Sequence, residues 1–329
     1  GTKLTMSLFS NINIGFLTKR KVAYTISFIL ISISTFSLFF QGLNQGVDFV
    51  GGRSYVVRFE KEVNPSEISR SLTDIFGSVE VKTFGDDNQL KITTNYKVDI
   101  EGIEVDNEIQ NKLFTGLKTY LNDEITYDSF LNGSEEKKTG IMSSIKVGPT
   151  IADDIKKNSF LAVLGSLIVV FLYILFRFRK WQFSLGAVAA VFHDVLLVLG
   201  IFSIAYKIMP FNMEINQAFI AAILTVIGYS LNDTVVVFDR IREYINEHSN
   251  WEFKTTVDSA LNSTLSRTLN TSLTTLVVLI SIFIFGGESI RGFMFALIVG
   301  VLVGTYSSVF IATPVMFDSL RVNNQKKEN

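Results

Sequence analysis

Six long apolar blocks constrain this chain more than any other feature. They cover residues 22–40, 159–176, 183–205, 218–238, 268–285 and 293–315. Each matches the roughly 20 residues that a helix needs, at 1.5 Å per residue, to cross a bilayer's hydrocarbon core. Composition agrees, with 48% apolar residues, only 19% charged and a mean hydropathy of +0.34. A soluble fold of this size could not hide that much apolar surface. The chain therefore reads as an α-helical polytopic membrane protein with six transmembrane helices. The stretch 22–40 is read as a span and not as a cleavable signal, because it exceeds the usual apolar core of a signal and no small-residue cleavage site follows. The chain has no cysteine, which excludes disulfides, thiolate metal sites and redox pairs. No phosphate-binding loop, GxSxG or HExxH pattern occurs, so no catalytic residue, metal or cofactor is expected, and no nucleic-acid partner.

Orientation follows from lysine and arginine in the short loops, which stay on the cytoplasmic side. Lys19, Arg20 and Lys21 precede the first span; Arg177, Arg179 and Lys180 separate the second and third. Arg240, Arg242 and Lys254 follow the fourth, and Arg321, Lys326 and Lys327 the sixth, whereas the opposite short loops hold only Lys207 and Arg291. The N-terminal stretch 1–21, a loop at 239–267 and the tail 316–329 are then cytoplasmic. Residues 41–158 form one extracytoplasmic domain. Strand and turn signals predict strands at 54–59, 78–84, 89–94 and 141–147, the third reached through a turn at 85–88. Amphipathic helices are predicted at 65–76, with Asn64 as cap and Pro65 in the first turn, and at 103–121. The order βαββαβ suggests a ferredoxin-like α+β domain, with a hairpin or flexible loop at 132–140. This domain carries no catalytic set and reads as a binding or lever module.

Polar residues inside spans are costly and usually mark function. Asp233 lies five residues inside the expected end of the fourth span, with Tyr229 and Ser230 on the same helical face and Asn232 beside it. Arg267, at the mouth of the fifth span, heads a stripe that includes Ser263, Thr264, Asn270, Thr271 and Thr274. The fourth and fifth spans are antiparallel and joined by a short segment, so the two ions can approach each other. Burial and a nearby guanidinium act in opposite senses on a carboxyl group's proton affinity, so a changing separation can load and release a proton. The bland reading makes Asp233 a satisfied structural carboxylate and Arg267 an ordinary flanking residue. His193 and Asp194 are adjacent in the third span and should point about 100° apart, one as interhelical glue and the other on a proton path. Gly300 and Gly304 form a GxxxG that allows close helix packing. Asp239, Arg240, Arg242 and Glu243, at the inner interface, are expected to make surface ion pairs or to anchor the helix end.

Several longer stretches share one resemblance: GVDFVGG (46–52), VGPTIADD (147–154), FHD (192–194), GYSLNDTVVVFDRIRE (228–243), SRTLNTSLTT (266–275) and GTYSSVFIATP (304–314). Together they resemble SecF, the smaller half of the SecDF protein-export component, itself related to the RND transporter superfamily. The resemblance covers nearly the whole chain in order, although GVDFVGG alone also fits SecD. It implies an accessory subunit of the bacterial inner membrane that uses the proton-motive force to help draw preproteins across. The implied partners are SecD, the SecYEG channel, membrane lipid and unfolded preprotein, with YajC and YidC as further candidates. The family's proton-coupling carboxylate falls on Asp233 and its essential arginine on Arg267. The coupling ion is H⁺, with Na⁺ as the alternative. The opening GTKLTM suggests a separate SecF or the C-terminal part of a fused SecDF, the fused origin being favoured. A rival is an RND-type exporter of small molecules or lipids, for which an outer loop of this size is small. A third reading is a structural scaffold that tolerates neutral isosteres at Asp233.

Overall fold

The computed structural model describes residues 14–100, 102–132 and 139–328, with side chains of the last helix described to Arg321; the core of the expected loop at 132–140 lies outside them. Among the described residues, six helical stretches are long and apolar enough to cross a membrane. They are α1 (Arg20–Phe40), α6 (Pro149–Phe178), α7 (Trp181–Ala205), α8 (Gln217–Glu247), α9 (Phe253–Phe285) and α10 (Glu288–Ser307), the last running on through a π turn (Ser308–Ala312) into α11 (Thr313–Glu328). The π turn interrupts the span expected over 293–315. Pro314 has no N–H to offer the Phe310 carbonyl, and the Thr313 hydroxyl donates instead to the Ser308 carbonyl at 3.1 Å.

One expectation about connections changes. The segment 239–267, expected as a loop, is largely helix, since α8 continues to Glu247 and α9 begins at Phe253. Its backbone bonds are satisfied within each helix whether or not lipid surrounds it. Ion pairs along it hold as expected: Asp239 accepts from Arg177 at 2.6 Å and from Arg242 at 3.0 Å, and Arg240 meets Glu243 at 2.6 Å. On the opposite side, Asn216 caps α8 by accepting from the Phe219 amide at 2.9 Å.

Small residues let the helices approach closely. The buried face of α1 is Ala23, Ser27, Ser34 and Ser37, and a side-chain carbon at Gly200 of α7 would overlap Ser34. Ser37 and Ser203 share a hydrogen bond of 2.8 Å across that seam. Gly300 of α10 similarly abuts Val226 of α8, with no room for a methyl group. Gly300→Leu is expected to cost about 1–3 kcal/mol by overpacking, seen as a lower melting temperature and poorer yield of the purified protein in detergent.

Between α1 and α6 the chain makes a short turn α2 (Val47–Val50), then β1 (Gly52–Arg58), α3 (Pro65–Phe76), β2 (Val79–Phe84), β3 (Asp86–Thr94), α4 (Ile103–Leu117), α5 (Tyr127–Asn132) and β4 (Gly140–Val147). The four strands form one antiparallel sheet in the order β2-β3-β1-β4. Tyr55, Val57, Leu90 and Ile92 alternate onto one face and pack in a common core with Ile68 and Leu72 of α3 and Ile109 and Leu113 of α4. Asn64 caps α3 through the Ser66 amide at 2.9 Å. The turn expected over 85–88 shrinks to Gly85, whose φ of +87° lets β3 begin at Asp86.

Arg53 of β1 is 1% exposed. Its guanidinium donates to Asp106 at 3.0 Å and to the carbonyls of Tyr96, Lys97 and Ile100 at 3.0, 3.0 and 3.4 Å, stapling the β3–α4 connection to the sheet. Partial burial by itself would raise the proton affinity of the Asp106 carboxyl. Hydrogen bonds and charge from Lys146 and Arg53 outweigh that and hold its pKa below the usual carboxylate value. A depressed folded pKa contributes stability that is complete above the unfolded value, about 3.9, and fades as pH falls through the folded one. The melting temperature of the wild type should therefore fall more steeply below about pH 4 than that of Asp106→Asn.

The domain is tied to the membrane helices at the α7–α8 connection. Gln45 and Ile215 form a parallel β-bridge, Lys91 of β3 pairs with the buried Glu214, and Lys82 donates to Asn44 at 3.3 Å.

Candidate intramembrane site

Asp233 lies fourteen residues before the end of α8 at Glu247, and Arg267 fourteen residues after the start of α9 at Phe253. Because the two helices are antiparallel neighbours, equal offsets put the residues at one level, roughly 21 Å from the turn. Hydrogen bonds confirm the register on either side: Tyr229 donates to Ser272 at 3.3 Å, and Arg240 to Ser263 at 3.0 Å. Asp233 is thus far deeper in its helix than the five residues expected, because α8 outlasts its apolar block.

The Asp233 side chain is 4% exposed, and its Oδ2 has no hydrogen-bond partner among the described residues. Arg267 is exposed on its helix, and no ion pair joins the two. A buried carboxylate without a partner is costly. Asn232 and Asn270 are exposed beside it, and Thr271 is half-buried, its hydroxyl bonded back to the Arg267 carbonyl at 3.0 Å.

One turn away lies a satisfied carboxylate. Asp194 of α7 is fully buried and accepts from Ser230 of α8 at 2.6 Å and Ser307 of α10 at 2.7 Å. His193 Nδ1 stands 3.0 Å from Asp194 Oδ1. Although adjacent helical positions point about 100° apart, the two side chains meet in this contact. His193 Nε2 is buried without a partner among the described residues. Gly304 sits against this cluster: a Cβ there would lie 3.3 Å from Ser230 and 3.6 Å from the Asp194 carboxylate. Ser230 is therefore shared ground, bonded to Asp194 and one helical turn from Asp233.

Residue-by-residue reading missed Ser307, Ser272 and Thr305. Ser272 and Thr305 join α9 to α10 at 2.6 Å. For Ser272 a signal lay in helical spacing, since Thr264, Thr268 and Ser272 recur every four residues and are all buried.

Fold and site together define a six-span helical membrane protein with an α+β domain between its first two spans and an unpaired carboxylate buried in its helix bundle. Comparisons narrow the class. Residues 127–321 match the profile of "Protein export membrane protein SecD/SecF, C-terminal", and residues 36–63 the "SecD/SecF GG Motif". The protein translocase subunit SecF of Rhodothermus marinus is 44% identical over 314 residues, covering 95% of this chain and 95% of that one. The SecF subunit of Magnetococcus marinus is 39% identical over 302 residues, covering 92% and 90%. The crystal structure of SecDF, a translocon-associated membrane protein from Thermus thermophilus, superposes with a TM-score of 0.77 at 29% identity, covering 94% of this chain and 39% of that one. SecDF in its super-membrane-facing form gives a TM-score of 0.64 at 28% identity, covering 97% and 40%. This chain belongs to the SecD/SecF protein-export membrane protein family. It spans about two fifths of the length of the solved SecDF chains.

Proposed function

We propose that this chain helps protein export by coupling a proton gradient to work, with Asp233 as the proton-loading group and Arg267 as its movable counter-charge. Its relatives are SecF subunits of the protein translocase, and the chain acts beside SecD and the Sec translocon in the bacterial inner membrane. The observation that carries the coupling is the Asp233 carboxylate, buried without a partner and level with a cation that it does not touch. Closing that gap would stabilise the charged form and opening it the protonated form. Alternating the two while α8 and α9 shift converts proton passage into motion. In this proposal Tyr229, Ser230, Asn232, Asn270 and Thr271 are the supporting polar residues of the pair, and Asp194 with His193 holds the neighbouring packing.

Strand order and antiparallel pairing support reading the 41–158 domain as ferredoxin-like. The lysine and arginine distribution supports placing that domain in the periplasm, with both termini cytoplasmic. There it would act on emerging unfolded preprotein, with SecYEG as the channel partner and YajC or YidC as neighbours. No cofactor is needed; the coupling ion is H⁺, with Na⁺ as the alternative.

The test is preprotein export into vesicles that carry the complete complex, driven by an imposed H⁺ or Na⁺ gradient. The proton reading requires stimulation by the H⁺ gradient and its loss in Arg267→Met at equal protein level. Stimulation by Na⁺ alone would transfer the role to that ion, and stimulation by neither would remove the coupling function.

A further inference from the structure

On the domain side of the bundle, α6, α7 and α8 leave an open groove of about 270 Å³. Its walls are apolar, among them Phe49, Val163, Leu199, Phe219 and Ile223. Polar atoms gather at one end only, from Lys156, Ser159 and Gln45. None of these three side chains has a hydrogen bond or ion pair among the described residues, and Lys156 is exposed. Lys156 and Val163 are seven residues apart on α6, so the ammonium-bearing position stands roughly 10 Å from the Val163 part of the apolar wall. The candidate coupling site lies elsewhere, at the α8–α9 seam.

We propose that this groove binds one phospholipid of the leaflet on the domain side, with an acyl chain along the apolar wall and the phosphate at Lys156. An unfilled apolar groove forfeits dispersion contacts along its whole lining, and water would not replace them. The bilayer supplies alkyl chains at high concentration on that face. Charge decides the occupant: an unpaired ammonium at the interfacial end of an apolar slot is complementary to a phosphodiester. An apolar segment of a partner protein would leave that ammonium unpaired. Ser159 can donate to glycerol or phosphate oxygens, and the Gln45 amide can do the same. The bound lipid would brace α6 where it is otherwise little covered, since Phe160, Leu161 and Leu164 are exposed. It would also sit under the 45–49 turn that joins the domain to the helices.

The test places the full chain, with its partner subunit, in vesicles of phosphatidylethanolamine and phosphatidylglycerol that hold a trace of phospholipid with a photoreactive acyl chain. Cross-linked peptides are mapped by mass spectrometry, with the exposed α9 face at Leu273, Val277 and Val278 as internal reference. Labelling at 156–163 and 219–223 should exceed that reference several-fold. Leu199→Trp, which fills the slot, should bring it down to the reference level. Lys156→Gln should lower labelling by the phospholipid but not by a neutral diacylglycerol with the same chain. Groove labelling no higher than the reference overturns the proposal, as does labelling unchanged in both variants. Because the chain has no native cysteine, Ser159→Cys offers a second probe. Efficient disulfide or bismaleimide coupling from that position to a partner chain would assign the groove to protein, again overturning it.

Discussion

Replacing Asp233 by Asn should cut gradient-driven preprotein export by about tenfold or more, an effect equivalent to about 1.4 kcal/mol on the rate-limiting step, with the amount of assembled protein unchanged. The reasoning starts from size. Asn occupies nearly the same volume, so the packing of Val226, Ser230 and Val237 along the buried face of α8 has no cause to change. What disappears is the ability to alternate between a charged and a neutral form. Since the Asp233 Oδ2 accepts no hydrogen bond among the described residues, the substitution breaks no bond there. Asp194→Asn is the informative contrast. Asp194 anchors Ser230 and Ser307 and lies against His193, so an amide in its place disrupts a three-helix junction. That variant should lower the melting temperature and the quantity of folded protein, with any fall in export following from that loss. Measuring export per assembled complex separates the two carboxylates. Unaltered export by Asp233→Asn would leave that residue as structural glue, and the scaffold reading would stand.

Arg53→Met should destabilise the α+β domain by about 3 kcal/mol, the low end of the range for breaking a buried charge pair. Asp106 is partly exposed, so losing its partner is the smaller part of the effect. The larger part comes from the carbonyls of Tyr96, Lys97 and Ile100, which would lose the guanidinium as a donor, Lys97 keeping only the Ile100 amide. Lysine should rescue little, because one ammonium cannot span a carboxylate and three separated carbonyls as a planar guanidinium does. Limited proteolysis of the full chain reads the effect directly: cleavage in the 95–102 connection should speed up strongly, while cleavage at the α8–α9 turn should not change. Equal protection of that connection in Arg53→Met would show that the staple is dispensable.

The helices and the sheet were legible because their signals are local. A run of apolar residues about a bilayer thick has few folded alternatives, and alternation over 89–94 leaves one face for a core. Asp233 and Arg267 stood out by the same logic, as groups whose cost inside a span asks for a reason. The helix ends were less legible, because hydropathy reports where lipid stops and not where backbone hydrogen bonding stops. Hence α8 and α9 run on through 239–267, and Asp233 lies deep in its helix.

What the tertiary structure alone decided is which polar groups meet. Asp194 and Ser307 are 113 residues apart, and no periodicity links them. Their contact depends on the rotation of α7, α8 and α10 about their axes, which close approaches at Gly200, Gly300 and Gly304 set jointly. The same rotation leaves Asp233 buried and Arg267 exposed, level with each other but apart. The sequence by itself determined that this chain spans a membrane six times and carries charge where lipid should be. Only packing, which sums small contacts over many helices at once, determined that one of those carboxylates is fully satisfied and the other is not.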